Sequence, residues 1–317
     1  MDLPLRIEEI LKTKIEDFKE LNVDSINQIF EVKTNFSEYI LKVMTREPLD
    51  DWEKNRFVRS KYILELVLQN DIPVNVPIFA STHSYDYYHS YLLMTKDEGV
   101  SLKELWQCMT QTQKNQFTTE FANILNLIHS ITIDKLTLLK EYPISDNLYW
   151  KAWIKKKLLE IEDKINVLNY FNSSFKTSSM TFLFSNLKYL DDRKLSLVHY
   201  DLNQNNILVN LNDRSINVIL DWEWAILGDP LIDYISIKQD LLAENDEALN
   251  VFNSVYLYYE EDQISHFLLL YYEIFNLLNG ACFGYLYHNP SIENYQLLTN
   301  KVSTLINQAN AILTGDT

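Results

Sequence analysis

The chain has 317 residues, of which 47% are hydrophobic and 23% are charged, a balance typical of folded globular proteins that excludes long disordered stretches. Its formal net charge is −16, from 28 lysines and arginines against 44 aspartates and glutamates, which disfavours binding to nucleic acid or to anionic membranes. The same charge favours cationic ligands, although an acidic surface also serves solubility alone.

We expect neither a targeting segment nor a disulfide framework. The N-terminal run MDLPLRIEEILKTKIEDFKE has apolar residues at helical spacing and lacks the basic start and apolar core of a signal peptide. The most apolar later segment, Phe267 to Tyr287, contains Glu273, Asn276 and Asn279, which predicts a buried helix and not a membrane span. The two cysteines are expected to be free thiols in a reducing compartment, and we therefore expect a cytoplasmic protein.

Short β-like runs alternate with one clear helix in the first hundred residues. Residues Ile26 to Val32 and Tyr39 to Met44 are rich in β-branched and aromatic side chains, and the polar turn between them predicts a hairpin. Apolar residues at helical spacing predict a helix from Asp51 to Gln69,. Strand character returns from Tyr87 to Met94.

The pattern from Ser101 onward is mostly helical. Amphipathic helices are predicted at Gln113 to Ser130 and at Trp150 to Leu168, with further helices from Glu244 to Ala311,. One island of β signal lies between Leu195 and Asp221. We predict an α+β fold in which a small β-rich N-terminal lobe, residues 1–97, is joined to a larger helical C-terminal lobe, residues 98–317. Two lobes would leave a cleft, where ligand sites tend to form.

The most informative segment is LVHYDLNQNNILVN, residues 197–210. Apolar residues flank a polar cluster, which predicts a strand, a short loop and a second strand, with the polar side chains on the loop. Within it His199, Asp201 and Asn206 match the pattern H-x-D-x-x-x-x-N of kinase catalytic loops.

A second motif follows in INVILDWEWAILGDPLIDY, residues 216–234. The apolar run Val218 to Leu220 predicts a strand that ends at Asp221, and Glu223 follows two residues later. Two carboxylates beyond a strand end are suited to Mg²⁺, which prefers oxygen ligands and is usually held by one or two carboxylates together with phosphate oxygens.

The two motifs together resemble the aminoglycoside phosphotransferase and choline kinase family, which has a protein-kinase-like fold. The residues that match in order and spacing are His199, Asp201, Asn206, Asp221, Gly228, Asp229, Pro230 and Asp233. The resemblance is continuous from Leu195 to Tyr234, and weaker features of the family extend from Asp24 to Ser130.

The resemblance implies an enzyme that uses ATP or GTP with Mg²⁺ to phosphorylate a hydroxyl group. Asp201 would orient that hydroxyl, while Asn206 and Asp221 would hold Mg²⁺ against the phosphates. Glu223 would be a further contact to the metal or its waters. His199 is expected to be structural, and Asp229 is expected to cap the helix that Pro230 begins.

The nucleotide-binding half is defined by three residues. Lys42 shares one strand face with Ile40 and Met44, and family members place their phosphate-binding lysine on such a strand. Asn27 lies where the family often has asparagine in the hairpin that covers the phosphates. Met94 lies in the segment that resembles the hinge between lobes, where the nucleotide base would bond backbone groups.

Two features depart from the wider kinase pattern. No glycine precedes Gly99, so the glycine-rich phosphate loop is absent. The glutamate that should pair with Lys42 is displaced, and the nearby alternatives are Glu53 and Glu65.

Three functions are compatible with these residues. The first is a kinase of a cationic small molecule, most closely an aminoglycoside, motivated by the net charge and by acids such as Asp240 and Glu247. The second is a kinase of choline or another metabolic alcohol, with Trp222 and Trp224 in a cation–π box. The third is a nucleotide-binding protein without transferase activity. The sequence predicts no oligomeric state.

Overall fold

A computed structural model describes residues 3–23, 27–48, 51–82, 90–131, 146–191, 193–284 and 290–315. The strands are β1 (Ile15–Val23), β2 (Asn27–Thr34), β3 (Glu38–Met44), β4 (Pro77–Ala80), β5 (Tyr91–Thr95), β6 (Val100–Ser101), β7 (Ser196–Val198), β8 (Ile207–Val209), β9 (Ile216–Ile219) and β10 (Ile226–Gly228). The α-helices are α1 (Leu3–Leu11), α2 (Asp51–Lys54), α3 (Arg56–Leu68), α4 (Leu102–Leu105), α5 (Gln111–His129), α6 (Asp146–Val167), α7 (Ser173–Ser185), α8 (Leu231–Asp240), α9 (Asp246–Val255), α10 (Gln263–Phe283) and α11 (Ile292–Thr314).

The chain divides into two compact units. The first comprises Met1–Ile128, His199–Ile226 and Asp240–Val255, and the second comprises His129–Val198, Leu227–Gln239 and Tyr256–Thr317. The α+β fold class predicted from the sequence is confirmed. The lobe boundary between residues 97 and 98 stays a prediction.

The first unit contains an antiparallel five-stranded sheet with the order β1-β2-β3-β5-β4. The predicted hairpin is confirmed as β2 and β3, with Lys42 in register with Ile29. Helix α1 covers one face, where its Ile7 is fully buried in a cluster with Leu41 and Val43. Because side chains alternate along a strand, Lys42 faces the opposite side.

The N-terminal strand was not foreseen. Helical spacing from Met1 to Glu20 holds only as far as Leu11, and Ile15–Val23 forms an edge strand instead. Its sequence IEDFKELNV carries four charged residues. These charges interrupt the apolar pattern by which a strand is predicted, and charged side chains are typical of protected sheet edges.

Helix α3 lies on the other side of the first unit's sheet and contacts β4 and β5. The helix predicted for Asp51 to Gln69 is confirmed in outline, but it is interrupted at Asn55 between α2 and α3. Fully or largely buried positions on α3 are not all apolar, because Arg56, Arg59 and Ser60 are buried beside Phe57 and Ile63.

A second, three-stranded sheet in the first unit has the order β6-β8-β9. This sheet corresponds to the β signal predicted between Leu195 and Asp221, because β8 and β9 both lie within that segment. The backbone nitrogen of Ile219 donates to the Pro73 carbonyl at 2.8 Å, which ties β9 to the segment after α3. The strand end that precedes Asp221 is therefore held by both sheet and loop.

The second unit is mainly helical. Helix α6 contacts α7 and α10, helix α11 contacts the same two helices, and β7 and β10 form a two-stranded pair. The helix predicted within Phe267 to Tyr287 is observed as α10, where Phe267, Tyr271 and Leu278 are fully buried. Across the described parts of the chain, no helix has the length and apolar character needed to cross a membrane.

Asp229 anchors the start of α8 in the second unit, as the sequence predicted. Its carboxylate accepts hydrogen bonds from the backbone nitrogen of Leu231 at 3.1 Å, from Arg193 at 2.6 Å and from the Tyr272 hydroxyl at 2.9 Å. One turn later, Asp233 lies 3.2 Å from the buried His129 ring, so Asp233 holds the end of α5. These acids stabilise the fold and are fully buried.

Candidate active site

The predicted catalytic loop lies in the first unit, between the end of β7 and the start of β8. His199 is fully buried, and its Nε2 lies 2.7 Å from the Leu220 carbonyl. Its Nδ1 accepts a hydrogen bond from the backbone nitrogen of Asp201 at 3.3 Å, so Nε2 carries the proton and donates. His199 therefore joins the loop to the end of β9 and has the structural position that the sequence predicted.

Asp201 is fixed by the two asparagines that follow it. The Asn206 amide nitrogen donates to one Asp201 carboxylate oxygen at 3.1 Å and to the Asp201 carbonyl at 2.8 Å. The Asn203 amide nitrogen donates to the other carboxylate oxygen at 3.3 Å. Burial raises the pKa of the Asp201 carboxyl and the nearby charge of Asp221 adds to the rise, while the two amides oppose it,.

Two residues of this site have a left-handed backbone conformation. Tyr200, directly before Asp201, has a φ of 70°, and Asp221 has a φ of 62°. Residues other than glycine rarely adopt this backbone conformation, and those that do cluster at functional sites. The strained residues are therefore Asp221 itself and Tyr200, the neighbour of Asp201.

Asn206 and Asp221 are brought together by one backbone hydrogen bond. The Leu220 nitrogen donates to the Asn206 carbonyl at 2.8 Å, so the residue before Asp221 is tied to Asn206. The Asn206 amide nitrogen is engaged by Asp201, and its amide oxygen is the atom suited to a cation. Asp221 keeps 41% of its side-chain surface exposed. This pair of oxygen donors fits Mg²⁺.

Lys42 bonds both carboxylates of the Asp-Trp-Glu segment. Its Nζ donates to Asp221 and lies 2.9 Å from the Glu223 carboxylate. Burial alone would lower the pKa of the lysine, but the two carboxylates outweigh it and raise that pKa well above its usual value. Desolvation alone would raise the pKa of the Asp221 carboxyl, but Lys42 outweighs it and holds that pKa below the usual value.

Glu223 is surrounded by protein cations and amides. Its second oxygen accepts a hydrogen bond from the Asn27 amide nitrogen at 3.3 Å and lies 3.4 Å from the Nε of Arg56. The Asn27 amide oxygen in turn accepts from Arg56 at 2.7 Å. Only 7% of the Glu223 side chain is exposed, and both of its oxygens are used. These contacts do not fit the metal contact that the sequence predicted for Glu223.

The alternatives Glu53 and Glu65 are both wrong as partners of Lys42. Glu53 binds Arg46 through two hydrogen bonds of 2.6 and 2.9 Å, and Glu65 pairs with Lys61 one turn earlier on α3. They were considered because they are the glutamates nearest in sequence to the expected position. Glu223, which follows Asp221, takes the position beside the lysine.

Arg56 was missed by the sequence reasoning. It lies in line with Ser60, Ile63 and Val67 at helical spacing, and all four are buried. An arginine on the apolar stripe of a helix is a usable signal, because an arginine is almost never fully buried unless it is paired.

Met94 and Asn27 are the two other residues predicted to contact the nucleotide. Met94 lies in β5 with ladder partners on both sides, Ile40 in β3 and Pro77 in β4. The sheet therefore engages its backbone, and any contact with a base falls to its side chain or to residues after β5. Asn27 is 5% exposed and its amide serves Glu223 and Arg56. Their contacts with nucleotide stay predictions.

The sequence profile of the phosphotransferase enzyme family matches residues 17–258, which include every residue of this site. The chain belongs to this family. The protein is therefore a phosphotransferase that acts on hydroxyl groups of small molecules, as the resemblance implied. A comparison with curated proteins found no match.

Solved aminoglycoside phosphotransferases share the fold of this phosphotransferase. The enzyme APH(4)-Ia is 16% identical with a TM-score of 0.71, over 96% of this chain and 98% of that chain. A thermostable mutant of it, in a ternary complex with ADP and hygromycin B, is 15% identical with a TM-score of 0.67, over 97% and 98%. A GDP and kanamycin complex of APH(2")-IIIa is 17% identical with a TM-score of 0.63, over 96% and 97%.

Proposed function

We propose that this phosphotransferase transfers the γ-phosphoryl group of ATP or GTP to a hydroxyl group of a cationic acceptor, and that the acceptor is an aminoglycoside. The observation that carries the proposal is that hydrogen bonds of 2.8 to 3.1 Å join Asn206 to Asp201 and to the backbone of Leu220, the residue before Asp221. Phosphoryl transfer needs positioning and charge neutralisation more than covalent chemistry, and these residues supply both.

Each residue has one proposed task. Asp201 accepts a hydrogen bond from the acceptor hydroxyl and orients its oxygen for in-line attack. Asn206 and Asp221 hold Mg²⁺, which neutralises charge on the phosphates when bound. Lys42 donates to a phosphate oxygen. The raised pKa of Asp201 favours proton acceptance from the hydroxyl as its bond to phosphorus forms.

The choice of a cationic acceptor has two supports. The net charge of −16 attracts cations from solution, and two relatives of the same fold are complexes with hygromycin B and kanamycin. The individual acids add less to this attraction than expected, because Asp240 at the end of α8 accepts from the Gln204 backbone at 2.6 Å and Glu247 in α9 accepts from Asn115 at 2.6 Å.

The choline alternative loses its main support. Trp222 is 2% exposed, packs against His199 with tilted rings whose centroids are 4.6 Å apart, and donates its indole N–H to the Ile219 carbonyl. It is a core residue and cannot line a cation–π box with Trp224. The third alternative, a nucleotide-binding protein without transferase activity, rests only on the absent glycine-rich loop and the displaced glutamate, and the presence of Asp201, Asn206 and Asp221 argues against it.

The test is release of nucleoside diphosphate across a panel of aminoglycosides, choline, macrolides and neutral sugars, with ATP and with GTP. The proposal expects acceptor-dependent release with at least one aminoglycoside, abolished by Asp201→Asn. Release with choline alone would support the second alternative. Nucleotide binding without acceptor-dependent release for any compound would contradict the transferase proposal.

A further inference from the structure

The two carboxylates that bond Lys42 differ in their surroundings. Asp221 has 41% of its side chain exposed, whereas Glu223 has 7% exposed and is contacted on both oxygens. A cation brought in by a nucleotide would compete with Lys42 for Asp221, because like charges repel and both need the same oxygens. Lys42 would then depend on Glu223 for its position.

Arg56 is placed to hold Glu223. Its guanidinium is 2% exposed and lies between Asn27 and Glu223, with its Nη2 2.7 Å from the Asn27 oxygen and its Nε 3.4 Å from the Glu223 carboxylate. Asn27 closes the triangle through its own hydrogen bond to Glu223. Two cations and two anions, counting Lys42 and Asp221, thus form a group of zero net charge.

Burying the Arg56 guanidinium costs folding stability, which indicates that this residue has a function. The Nε and Nη1 atoms of Arg56 are shielded from solvent, yet among the described residues no acceptor forms a hydrogen bond with either. A buried donor without an acceptor lowers the stability of the folded protein. Stability alone would favour an apolar residue of similar volume at this position, and Ile63 and Val67 are such apolar residues on the same helix stripe.

We infer that Arg56 is a positioning residue that holds Glu223 as the permanent partner of Lys42, so that Glu223 serves the lysine and not the metal. Helix α3 then contributes a cation, and the anion comes from the segment after Asp221. This inference rests on the proposed function, in which Lys42 binds a phosphate oxygen.

The inference predicts different effects for substitutions at Glu223 and at Asp221. Glu223→Gln removes the anion beside Lys42 and leaves the oxygens of Asp221 and Asn206 in place. We expect the dissociation constant for nucleotide to rise about tenfold or more, with the Mg²⁺ concentration for half-maximal binding changed less than about twofold. Asp221→Asn should instead raise that Mg²⁺ concentration.

The chain offers a matched control for Arg56. Arg59 lies one turn later on α3 and is also buried, but it stacks on Trp52 at 3.5 Å and donates to the Trp52 carbonyl. Arg56→Met and Arg59→Met remove equal side-chain chemistry from one helix. Only Arg56→Met should weaken nucleotide binding, and Arg56→Lys, which keeps the charge, should recover part of the loss.

The experiment is calorimetric titration of wild type and these variants with ATP and with GTP over a range of Mg²⁺ concentrations, which needs no acceptor. Thermal unfolding of each variant sets a common temperature at which all are folded, and the near-isosteric Glu223→Gln remains readable if Arg56→Met fails to fold. In the double variant Arg56→Met with Glu223→Gln, the loss should be close to that of Glu223→Gln alone.

Three results would overturn the inference. Glu223→Gln could shift the Mg²⁺ requirement as Asp221→Asn does, Arg56→Met could weaken binding no more than Arg59→Met, or the two losses could add in the double variant. Wild type that binds nucleotide but phosphorylates no acceptor contradicts the proposed function and leaves this test intact. Wild type that binds neither nucleotide overturns both.

Discussion

Lys42 and Glu223 are 181 residues apart in the sequence and form an ion pair of 2.9 Å in which both side chains are more than nine-tenths buried. A buried lysine needs a fixed anion because an unpaired charge in the interior is costly. The pair joins the sheet of the first unit to the segment after β9. It also explains how the phosphotransferase does without the helix glutamate expected at Glu53 or Glu65.

Asp201→Asn should lower turnover by about a hundredfold or more, because a neutral amide cannot accept a proton from the acceptor hydroxyl. Nucleotide affinity should change little, since Asp201 contacts Asn203 and Asn206 and not Lys42. Steady-state turnover and calorimetric nucleotide binding measure the two effects separately. Asp213→Asn, at an exposed turn acid, is the control and should retain activity. Near-normal turnover in the Asp201 variant would remove it from the mechanism.

Asp221→Asn should raise the Mg²⁺ concentration needed for half-maximal turnover, because an amide oxygen is a weaker ligand than a carboxylate. Asparagine is preferred to alanine here, since the φ of 62° at this position is tolerated by asparagine and strained for alanine. A Mg²⁺ titration of turnover at saturating nucleotide is the measurement. An unchanged Mg²⁺ dependence would show that Asp221 is not a metal ligand.

Gly228→Ala should destabilise the second unit by about 1–3 kcal/mol through overpacking. A Cβ at Gly228 would lie 2.8 Å from Val198 and 2.9 Å from the Trp150 ring. Urea unfolding followed by circular dichroism gives the free energy. Gly280→Ala is the control, because a Cβ there meets nothing within 4 Å inside α10, and it should add about 0.5–1 kcal/mol. Equal effects of the two substitutions would contradict the packing argument.

Thiol alkylation should distinguish the two cysteines. Burial raises the pKa of the Cys282 thiol to about 12, from 9.0, which lowers its thiolate fraction roughly a thousandfold. Cys108 is exposed. Iodoacetamide on the native protein should therefore add one label, located at Cys108 by mass spectrometry, and a second label only after denaturation. Native Cys108→Ser should take up none, and comparable native labelling of Cys282 would contradict its burial.

Local spacing was sufficient to predict part of the site and insufficient for the rest. His199, Asp201 and Asn206 lie within one loop in which Asp201 is bonded to the other two over five residues or fewer, and the pattern of polar and apolar residues specifies such a loop. The β2 and β3 hairpin followed from strand composition for the same reason. These features needed no knowledge of distant partners.

Contacts with distant partners could not be predicted from local spacing. Glu223 was expected to contact metal because it follows Asp221, which stays a prediction, and its neighbours Lys42, Asn27 and Arg56 come from the N-terminal part of the chain. The choline alternative placed Trp222 in a cation–π box, whereas Trp222 packs on His199. Sequence order carries no information on which face of a short turn is buried, so tertiary packing decided both.

Acceptor affinity should fall as salt rises, and by more than nucleoside affinity does. A polyamine approaching Asp201 and Asp221 gains attraction from the overall charge of −16 and charge-assisted hydrogen bonds on arrival. The attraction through solvent is screened over a Debye length of roughly 8 Å at physiological salt, whereas a neutral nucleoside has none to lose. Acceptor KM measured from about 50 mM to about 500 mM potassium chloride should rise several-fold for the best amine.

The matched comparison is a neutral sugar or macrolide from the same panel, whose KM should be flat across the salt series because it carries no charge to screen. Inhibition by adenosine or guanosine over the same series reports nucleoside affinity and corrects for effects of salt on the protein itself. Amines must also be the best acceptors at low salt, because the attraction is then least screened. A neutral compound that is the best acceptor and shows no salt dependence would refute the charge argument, while the assignment of the phosphotransferase site to Asp201, Asn206 and Asp221 would be unaffected.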